Sequence, residues 1–303
     1  MKAAAFTAPG GPEVLELMEL APPEAGAGEV RVRVKAAGVQ PTDLAVREGW
    51  TPPGLTLRSP QVIGNEFAGV IDQVGPEVTG VSVGDEVLGY RSLECYAEFV
   101  VVPADQIVPK PASLSWEVAA GLSGAGQTAH TAVEELGVGE GDVFLVHAAA
   151  GAVGTVAVQL ARRAGATVIG TASEGNHEYL RSLGVVPVTY GEGLVERVRA
   201  VAPNGVDVSL DAAGADGLRA AVELVKDKNR IGTIVAFDLY QELGVRWIGS
   251  KRSAARLAEL TALAASGDLL IQVRRTYSLA EAADAHREVG RGHGRGKVLL
   301  TIG

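Results

Sequence analysis

The sequence predicts an α/β protein in two parts, a mostly β domain and a doubly wound parallel sheet. Three observations predict it. At 303 residues the chain exceeds the usual size of a single hydrophobic core. From Met1 to about Val118 it reads as short strands separated by Gly, Pro and Asp. From about Leu122 short apolar runs alternate with amphipathic stretches, the pattern of a parallel sheet covered by helices on both faces.

The clearest element of the first part is Val30-Arg31-Val32-Arg33-Val34, whose alternation places valines on one face and charges on the other, as in a half-buried strand. GVIDQVG, VGDEVLG and YAEFVVVP follow at the close spacing of a small antiparallel barrel or sandwich. No long helix is evident there. In the second part the strand candidates are Val143–His147, Thr167–Ala172, Val186–Tyr190, Val206–Leu210, Ile231–Phe237 and Val245–Ile248, six strands of a full doubly wound sheet. Beyond Ser253 come a helix (SAARLAELTALAASG), a strand-like QVRRTYS, a second helix (LAEAADAHREV) and a last strand, GKVLLTI. That tail either extends the parallel sheet or returns to complete the first domain, and periodicity does not choose between them.

Composition excludes several roles. The 36 acidic residues against 27 Lys plus Arg give a net charge of -9, which disfavours nucleic acid and anionic membranes as partners. No stretch approaches the roughly 20 apolar residues of a membrane helix, and the N-terminal segment reaches Gly and Pro before any apolar run suited to a signal sequence. The single cysteine, Cys95, excludes an intrachain disulfide and a cysteine-rich metal site, and a reducing cytoplasm is expected.

The strongest local signal is DVFLVHAAAGAVGTVAVQLARRAG, Asp142 to Gly165. An apolar strand enters the small-residue turn Ala148-Ala149-Ala150-Gly151-Ala152-Val153-Gly154 and leaves as an amphipathic helix. Small residues let backbone approach a pyrophosphate, and the helix start offers unpaired N–H groups and a positive dipole end. Phosphates are expected at Gly151, Ala152, Val153 and Gly154. The competing reading is a tight turn with no ligand, with Ala148 standing where the generic fingerprint has Gly; the six-strand context favours the ligand. At the end of the second strand an NAD-preferring sheet carries an acid for the ribose 2′-hydroxyl. Here the strand ends Gly170-Thr171-Ala172-Ser173, with Glu174 one residue beyond. Ser173, Asn176 and His177 would meet a 2′-phosphate, so NADPH is favoured over NADH; a polar loop without bearing on selectivity is the alternative.

Read with GGPEVLEL (Gly10 to Leu17), AAGVQPTDL (Ala36 to Leu44), VIGNEFAGVIDQVG (Val62 to Gly75), YAEFVVVPADQIVPKP and the closing GKVLLTI, the chain resembles the medium-chain dehydrogenase/reductase superfamily, in its zinc-independent, zeta-crystallin-like quinone oxidoreductase branch. The resemblance runs over essentially the whole chain. It implies a GroES-like, mostly β catalytic domain from residues 1–121 and 253–303, which assigns the tail, and a Rossmann NADPH-binding domain from 122–252. In the zinc-dependent members the positions matching Gln40 and Asn65 are a cysteine and a histidine that hold catalytic zinc. Two amides are poor zinc ligands, so no metal is expected. The five histidines, His130, His147, His177, His286 and His293, form no HxxxH pair, and His147 reads as a packed core residue.

Hydride addition to an ordinary ketone leaves an alkoxide, whose conjugate acid is as weak as water at roughly 15.7, so a Lewis acid or strong proton donor is needed. Addition to a quinone or enone leaves a phenolate or enolate, and a phenol titrates near about 10, within reach of hydrogen-bond donors and water. The expected partner is therefore a small-molecule quinone or α,β-unsaturated carbonyl. The alternatives are a biosynthetic ene-reductase or reductive tailoring enzyme for a bulkier substrate and, from another class, an NADPH-binding sensor or structural protein with little turnover. By resemblance Gln40 and Thr128 stand at the nicotinamide as the catalytic candidates, with a helix-start hydroxyl as the competing role for Thr128. Related enoyl reductases have a tyrosine proton donor after the first of these loops, where this chain has Leu44 to Trp50 and none. Tyr190, Ala213 and Phe237, at carboxyl ends of strands, are the further cofactor candidates. Cys95 reads as an inert small residue that could face the site. The segment Val245–Gly249 is the candidate edge strand of a homodimer, because an exposed edge with Trp247 and Ile248 needs a cover.

Overall fold

The structure is a computed structural model that describes residues 1–292 and 294–303; His293 lies outside the described residues. The chain divides into two compact units, one of Met1–Gly124 with Arg252–Gly303 and one of Ala125–Lys251.

In the first unit the Val30 alternation forms the strand Glu29–Val39, with Val30, Val32 and Val34 buried and Arg33 exposed. This strand is the hub of a seven-stranded sheet. It pairs antiparallel with Glu66–Val74, with Phe99–Pro103 and with Lys297–Thr301. The pairing of Val298 with Val39 and of Thr301 with Ala36 settles the tail: it completes the first part rather than extending the parallel sheet. Phe67, Ile71, Val100, Val298 and Leu300 from these strands share one core. The strand Lys2–Phe6 sits between Glu16–Glu19 and Gln61–Val62 in a second, three-stranded sheet. Helices before residue 122 are short, Pro41–Arg47 and Trp116–Ala120.

The second unit is a six-stranded parallel sheet in the order Val186–Thr189, Thr167–Ala172, Val143–Val146, Val208–Asp211, Ile231–Thr233, Arg246–Trp247. The chain starts in the middle, moves outward on one side, then crosses to the other. The reversal separates the loops after Val143–Val146 and Val208–Asp211, where ligands bind in such sheets. Leu145, Ile169, Val188, Leu218 and Ile231 form its core.

Two strands are shorter than their apolar runs predict. Ile231–Phe237 stops at Thr233, because the Thr233 hydroxyl accepts from Val235 N at 3.2 Å and Ala236 N at 3.0 Å and turns the chain out of the sheet. Phe237 is therefore four residues beyond the strand rather than at its end. Val245–Ile248 contracts to Arg246–Trp247, the edge strand. Ile248 is not part of an exposed edge: it is buried over Gly232, where a Cβ would meet its Cγ1 at 2.7 Å. Trp247 is partly shielded by Phe237, ring centroids 5.2 Å apart. Among the described residues no helix is long and apolar enough to cross a membrane.

Candidate active site

The candidate residues fall into two groups, one in each unit, built in different ways. In the parallel-sheet unit the site is backbone. Strand Val143–Val146 leads through His147 into a turn where Ala148 adopts φ 54°, the left-handed region. Gly151 is the N-cap of the helix Ala152–Arg163, with extended dihedrals and no side chain on the first-turn N–H groups. Gly154 is required by contact: a Cβ there would lie 2.4 Å from Ala148 O and 2.7 Å from Ala149 Cα. The helix thus starts directly against the incoming turn, with the N–H groups of Ala152, Val153 and Gly154 in its first turn. That is the cradle a pyrophosphate fits.

At the end of the second strand, Asn176 Nδ2 donates to Ser173 Oγ at 3.1 Å, and His177 Nε2 lies 3.4 Å from Thr189 Oγ1. Ser173, Asn176 and His177 stand together in one turn, half-buried. Tyr190 is exposed just past the third strand, in a loop that Arg197 holds by donating to the carbonyls of Thr189, Tyr190, Gly191 and Glu192. Ala213 follows Asp211, whose Oδ1 accepts from Ala213 N and Gly214 N, both at 2.9 Å, while its Oδ2 accepts from Thr233 Oγ1 at 2.7 Å. One buried carboxylate thereby ties the Ala213 loop to the loop leading to Phe237. Phe237 is 60% exposed and packs on Tyr240 and Trp247. Thr128 is in the middle of the helix Leu122–Glu135, so its hydroxyl is not a helix-start cap. His147 is buried with Nδ1 3.4 Å from Thr171 Oγ1, and burial depresses its pKa to about 4.

In the β unit the site is a connected set of side chains. Gln40 opens the helix Pro41–Arg47, and its backbone N–H donates to Asp43 Oδ2 at 2.9 Å. Asp43 Oδ2 also accepts from the Tyr96 hydroxyl at 2.9 Å, and Oδ1 from Asn65 Nδ2 at 3.1 Å. Asn65 Oδ1 in turn accepts from Gln40 Nε2 at 2.9 Å. Burial raises the Asp43 pKa to about 6 against the pull of the Tyr96 and Gln40 donors, and it pushes the Tyr96 hydroxyl and the Cys95 thiol up as well. Cys95 is fully buried, so it faces no ligand. Next in sequence to Asn65, the buried carboxylate of Glu66 pairs with Lys297 and accepts from Gly124 N at 2.5 Å in the first turn of the helix Leu122–Glu135. Gly124 and Gly38 are glycines for this cluster: Cβ atoms there would fall 1.7 Å from Gln40 Nε2 and 1.9 Å from Glu66 Oε1.

Comparison with known proteins decides the family. Residues 26–112 match the alcohol dehydrogenase GroES-like domain and residues 185–300 the zinc-binding dehydrogenase domain. A quinone oxidoreductase of Pseudomonas aeruginosa is 32% identical over 97% of this chain and 98% of its own length. The chain belongs to the quinone oxidoreductase branch of the medium-chain dehydrogenase/reductase superfamily. The solved structure of Escherichia coli quinone oxidoreductase complexed with NADPH superposes with a TM-score of 0.87 at 27% identity, over 99% of this chain and all of that one. Spectinabilin polyketide synthase system protein NorB of Streptomyces orinoci is 33% identical over 97% of this chain, which spans 14% of the length of that relative. The fold is a GroES-like, mostly β domain plus a doubly wound Rossmann domain.

The residues of this member do not fit the zinc that one of the matched domain families is named for. Gln40 and Asn65 are amides whose polar atoms are committed to each other and to Asp43. Among the described residues no group of three or more His, Cys, Asp or Glu is placed to hold a metal ion. Sequence reasoning named Gln40 and Asn65 singly and missed Asp43, Tyr96, Glu66, Lys297 and Asp211. The signal available was the acid and amide placed close together in GVQPTD and in GNE, too short to show that four distant segments converge.

Proposed function

We propose that this oxidoreductase uses NADPH to reduce a quinone or another α,β-unsaturated carbonyl without a metal ion. The observation that carries the reading is the amide pair Gln40–Asn65, tied into the Asp43 network where zinc-dependent relatives have thiolate and imidazole. Without a Lewis acid the acceptor must itself stabilise the negative charge, which quinones and enones do.

The first-turn N–H groups of Ala152, Val153 and Gly154, behind the N-cap Gly151, would hold the pyrophosphate, and Ser173, Asn176 and His177 the 2′-phosphate, with no acid at the end of the second strand to repel it. Tyr190, Ala213 and Phe237 would line the remainder, and Gln40 and Thr128 would stand at the reacting ring. When bound, NADPH supplies the hydride. The β unit supplies an orienting amide, and the proton comes from solvent. The Escherichia coli relative's complex with NADPH supports the cofactor.

Incubating the pure protein with NADPH and a panel of benzoquinones, naphthoquinones and enones tests the reading. Oxidation of NADPH by at least one class is the expected result; tight binding with no oxidation across the panel leaves a nucleotide-binding protein without turnover. A second reading, enoyl-thioester reduction in biosynthesis, draws on the polyketide synthase match. The absence of a tyrosine from Leu44 to Trp50 argues against it, and a crotonyl thioester reduced faster than any quinone would establish it. A homodimer through the Arg246–Trp247 edge is the assembly to look for by light scattering.

A further inference from the structure

In the parallel-sheet unit two neighbouring strands end in one directed set of hydrogen bonds. Asp211 closes the strand Val208–Asp211 and Thr233 closes Ile231–Thr233; the two residues pair in register, and both are buried. The Thr233 hydroxyl accepts from Val235 N at 3.2 Å and Ala236 N at 3.0 Å, which occupies both of its lone pairs. Its proton therefore goes to Asp211 Oδ2, 2.7 Å away. Asp211 Oδ1 accepts from Ala213 N and Gly214 N, each at 2.9 Å. Among the described residues no Lys or Arg pairs with this carboxylate, so hydrogen-bond donors alone offset its burial. Each donor matters for that reason, since a buried acceptor left open costs more than a typical hydrogen bond contributes. The helix Ala215–Leu224 passes close by because its third residue is Gly217, where a Cβ would lie 3.0 Å from Oδ1. Two side chains thus fix four backbone N–H groups, two in each loop, and a turn of either loop unsettles the carboxylate that holds the other.

We infer that Asp211 and Thr233 are positioning residues that act as one unit and set the loops of Ala213 and Phe237 for the cofactor. The inference rests on the reading above that these loops line the NADPH site. Neither side chain has to touch the nucleotide: Asp211 acts through the backbone of Ala213 and Gly214, and Thr233 through that of Val235 and Ala236, next to Phe237. Phe237 packs on Trp247 with ring centroids 5.2 Å apart, so the exposure of that indole reports where Phe237 stands.

The test uses the full chain and follows the Kd for NADPH by fluorescence titration, with thermal unfolding beside it. Acrylamide quenching of Trp247 is read on the cofactor-free protein in a Trp50→Phe/Trp116→Phe background. Thr233→Val keeps the volume and removes the hydroxyl, while Thr233→Ser keeps the hydroxyl. Asp211→Asn reverses one link, because its NH2 must face either the filled lone pairs of Thr233 or the N–H groups of the Ala213 loop. The Kd is expected to rise about fivefold in Thr233→Val and in Asp211→Asn, the worth of one hydrogen bond, with Trp247 more readily quenched in both. Thr233→Ser should bind as the parent does, and Asp211→Asn/Thr233→Val no more weakly than the weaker single variant, as members of one network behave. If Asp211→Asn does not fold, the two Thr233 variants carry the test. The inference is overturned if folded Thr233→Val binds NADPH as tightly as the parent, if Thr233→Ser is as weak as Thr233→Val, if the double variant loses the product of the two single factors, or if Trp247 quenching is unchanged. Any of these, with NADPH bound by the parent, sinks the inference alone. A parent protein that does not bind NADPH sinks the functional reading with it.

Discussion

The phosphate turn of the parallel-sheet unit and the polar cluster of the β unit make their candidate sites from opposite materials. The turn offers backbone N–H groups held in place by small residues, and its side chains do almost nothing. The cluster offers carboxylate, amide and phenol groups whose positions depend on one another. The first should be sensitive to volume and indifferent to charge. The second should show the reverse.

Removing a charge from the cluster gives the largest effect. Lys297 and Glu66 are both buried, so Lys297→Met leaves an uncompensated carboxylate. A loss of about 3–5 kcal/mol is expected, read by urea denaturation. The double variant Glu66→Gln/Lys297→Met should recover part of it. Equal instability of single and double variants would mean that packing, and not charge, holds this region.

Adding volume to the turn comes next. In Gly154→Ala the new methyl meets Ala148 O at 2.4 Å and Ala149 Cα at 2.7 Å, backbone atoms that cannot swing aside. Overpacking of this kind costs about 1–3 kcal/mol. Because the displaced atoms form the cradle, the Kd for NADPH, followed by fluorescence titration, should rise by more than the stability loss explains. Gly124→Ala is the counterpart in the β unit, where the nearest atom is the mobile end of Gln40, 1.7 Å away. There the amide moves and the fold survives, with stability down by about 1 kcal/mol or less, the worth of one lost hydrogen bond. The effect should appear in the KM for the electron acceptor while the Kd for NADPH holds. If both alanines damage cofactor binding alike, the division between backbone and side-chain sites fails.

The two units should also answer acid differently. Burial holds His147 neutral with a pKa near 4, below the unfolded value of 6.5. Its unfolded form therefore takes up a proton first, and stability falls as pH drops from 6.5 toward 4, by about 3 kcal/mol in all. In the β unit His286, lowered to about 3 by burial and by Arg47, acts in the same sense. Asp43 opposes it: with a folded pKa near 6 against 3.8 it costs stability above pH 6 and returns about 3 kcal/mol as pH falls to 3.8. From pH 6.5 to 4.5 the amide-exchange protection factors, corrected for the intrinsic pH dependence of exchange, should fall more in the strand Val143–Val146 than in Glu66–Val74. Equal loss of protection would contradict the opposing role of Asp43.

The same contrast explains what could be read from the sequence. The phosphate turn is legible because its needs are local: a strand, small residues at fixed spacing and a helix lie within Asp142 to Gly165. Periodicity likewise gave the six parallel strands. It overran Ile231–Thr233, since a threonine hydroxyl that caps its own strand leaves no mark on apolar patterning. The cluster was legible only as two odd amides. Its acceptor, Asp43, its phenol, Tyr96, and its distant ion pair, Glu66 with Lys297, meet through tertiary structure, and a spacing of 231 residues carries no local signal.

The smallest effect tests the turn at its one departure from the generic fingerprint. Ala148 stands where that fingerprint has glycine, and it adopts φ 54°. A side chain in the left-handed region costs about 1–2 kcal/mol. Glycine would remove that strain but give back roughly 0.5–1 kcal/mol of unfolded-chain entropy. Ala148→Gly should therefore stabilise the protein by about 0.5 kcal/mol, raising its melting temperature by about 1–2 °C for a chain of this size. The Kd for NADPH should stay the same, because the groups offered to the phosphates are the N–H groups of Ala152, Val153 and Gly154 and none is altered. A fall in melting temperature would show that the alanine methyl contributes packing worth more than the strain it imposes. A change in cofactor affinity without a change in stability would place Ala148 itself against the nucleotide, and the turn would then owe part of its function to a side chain after all.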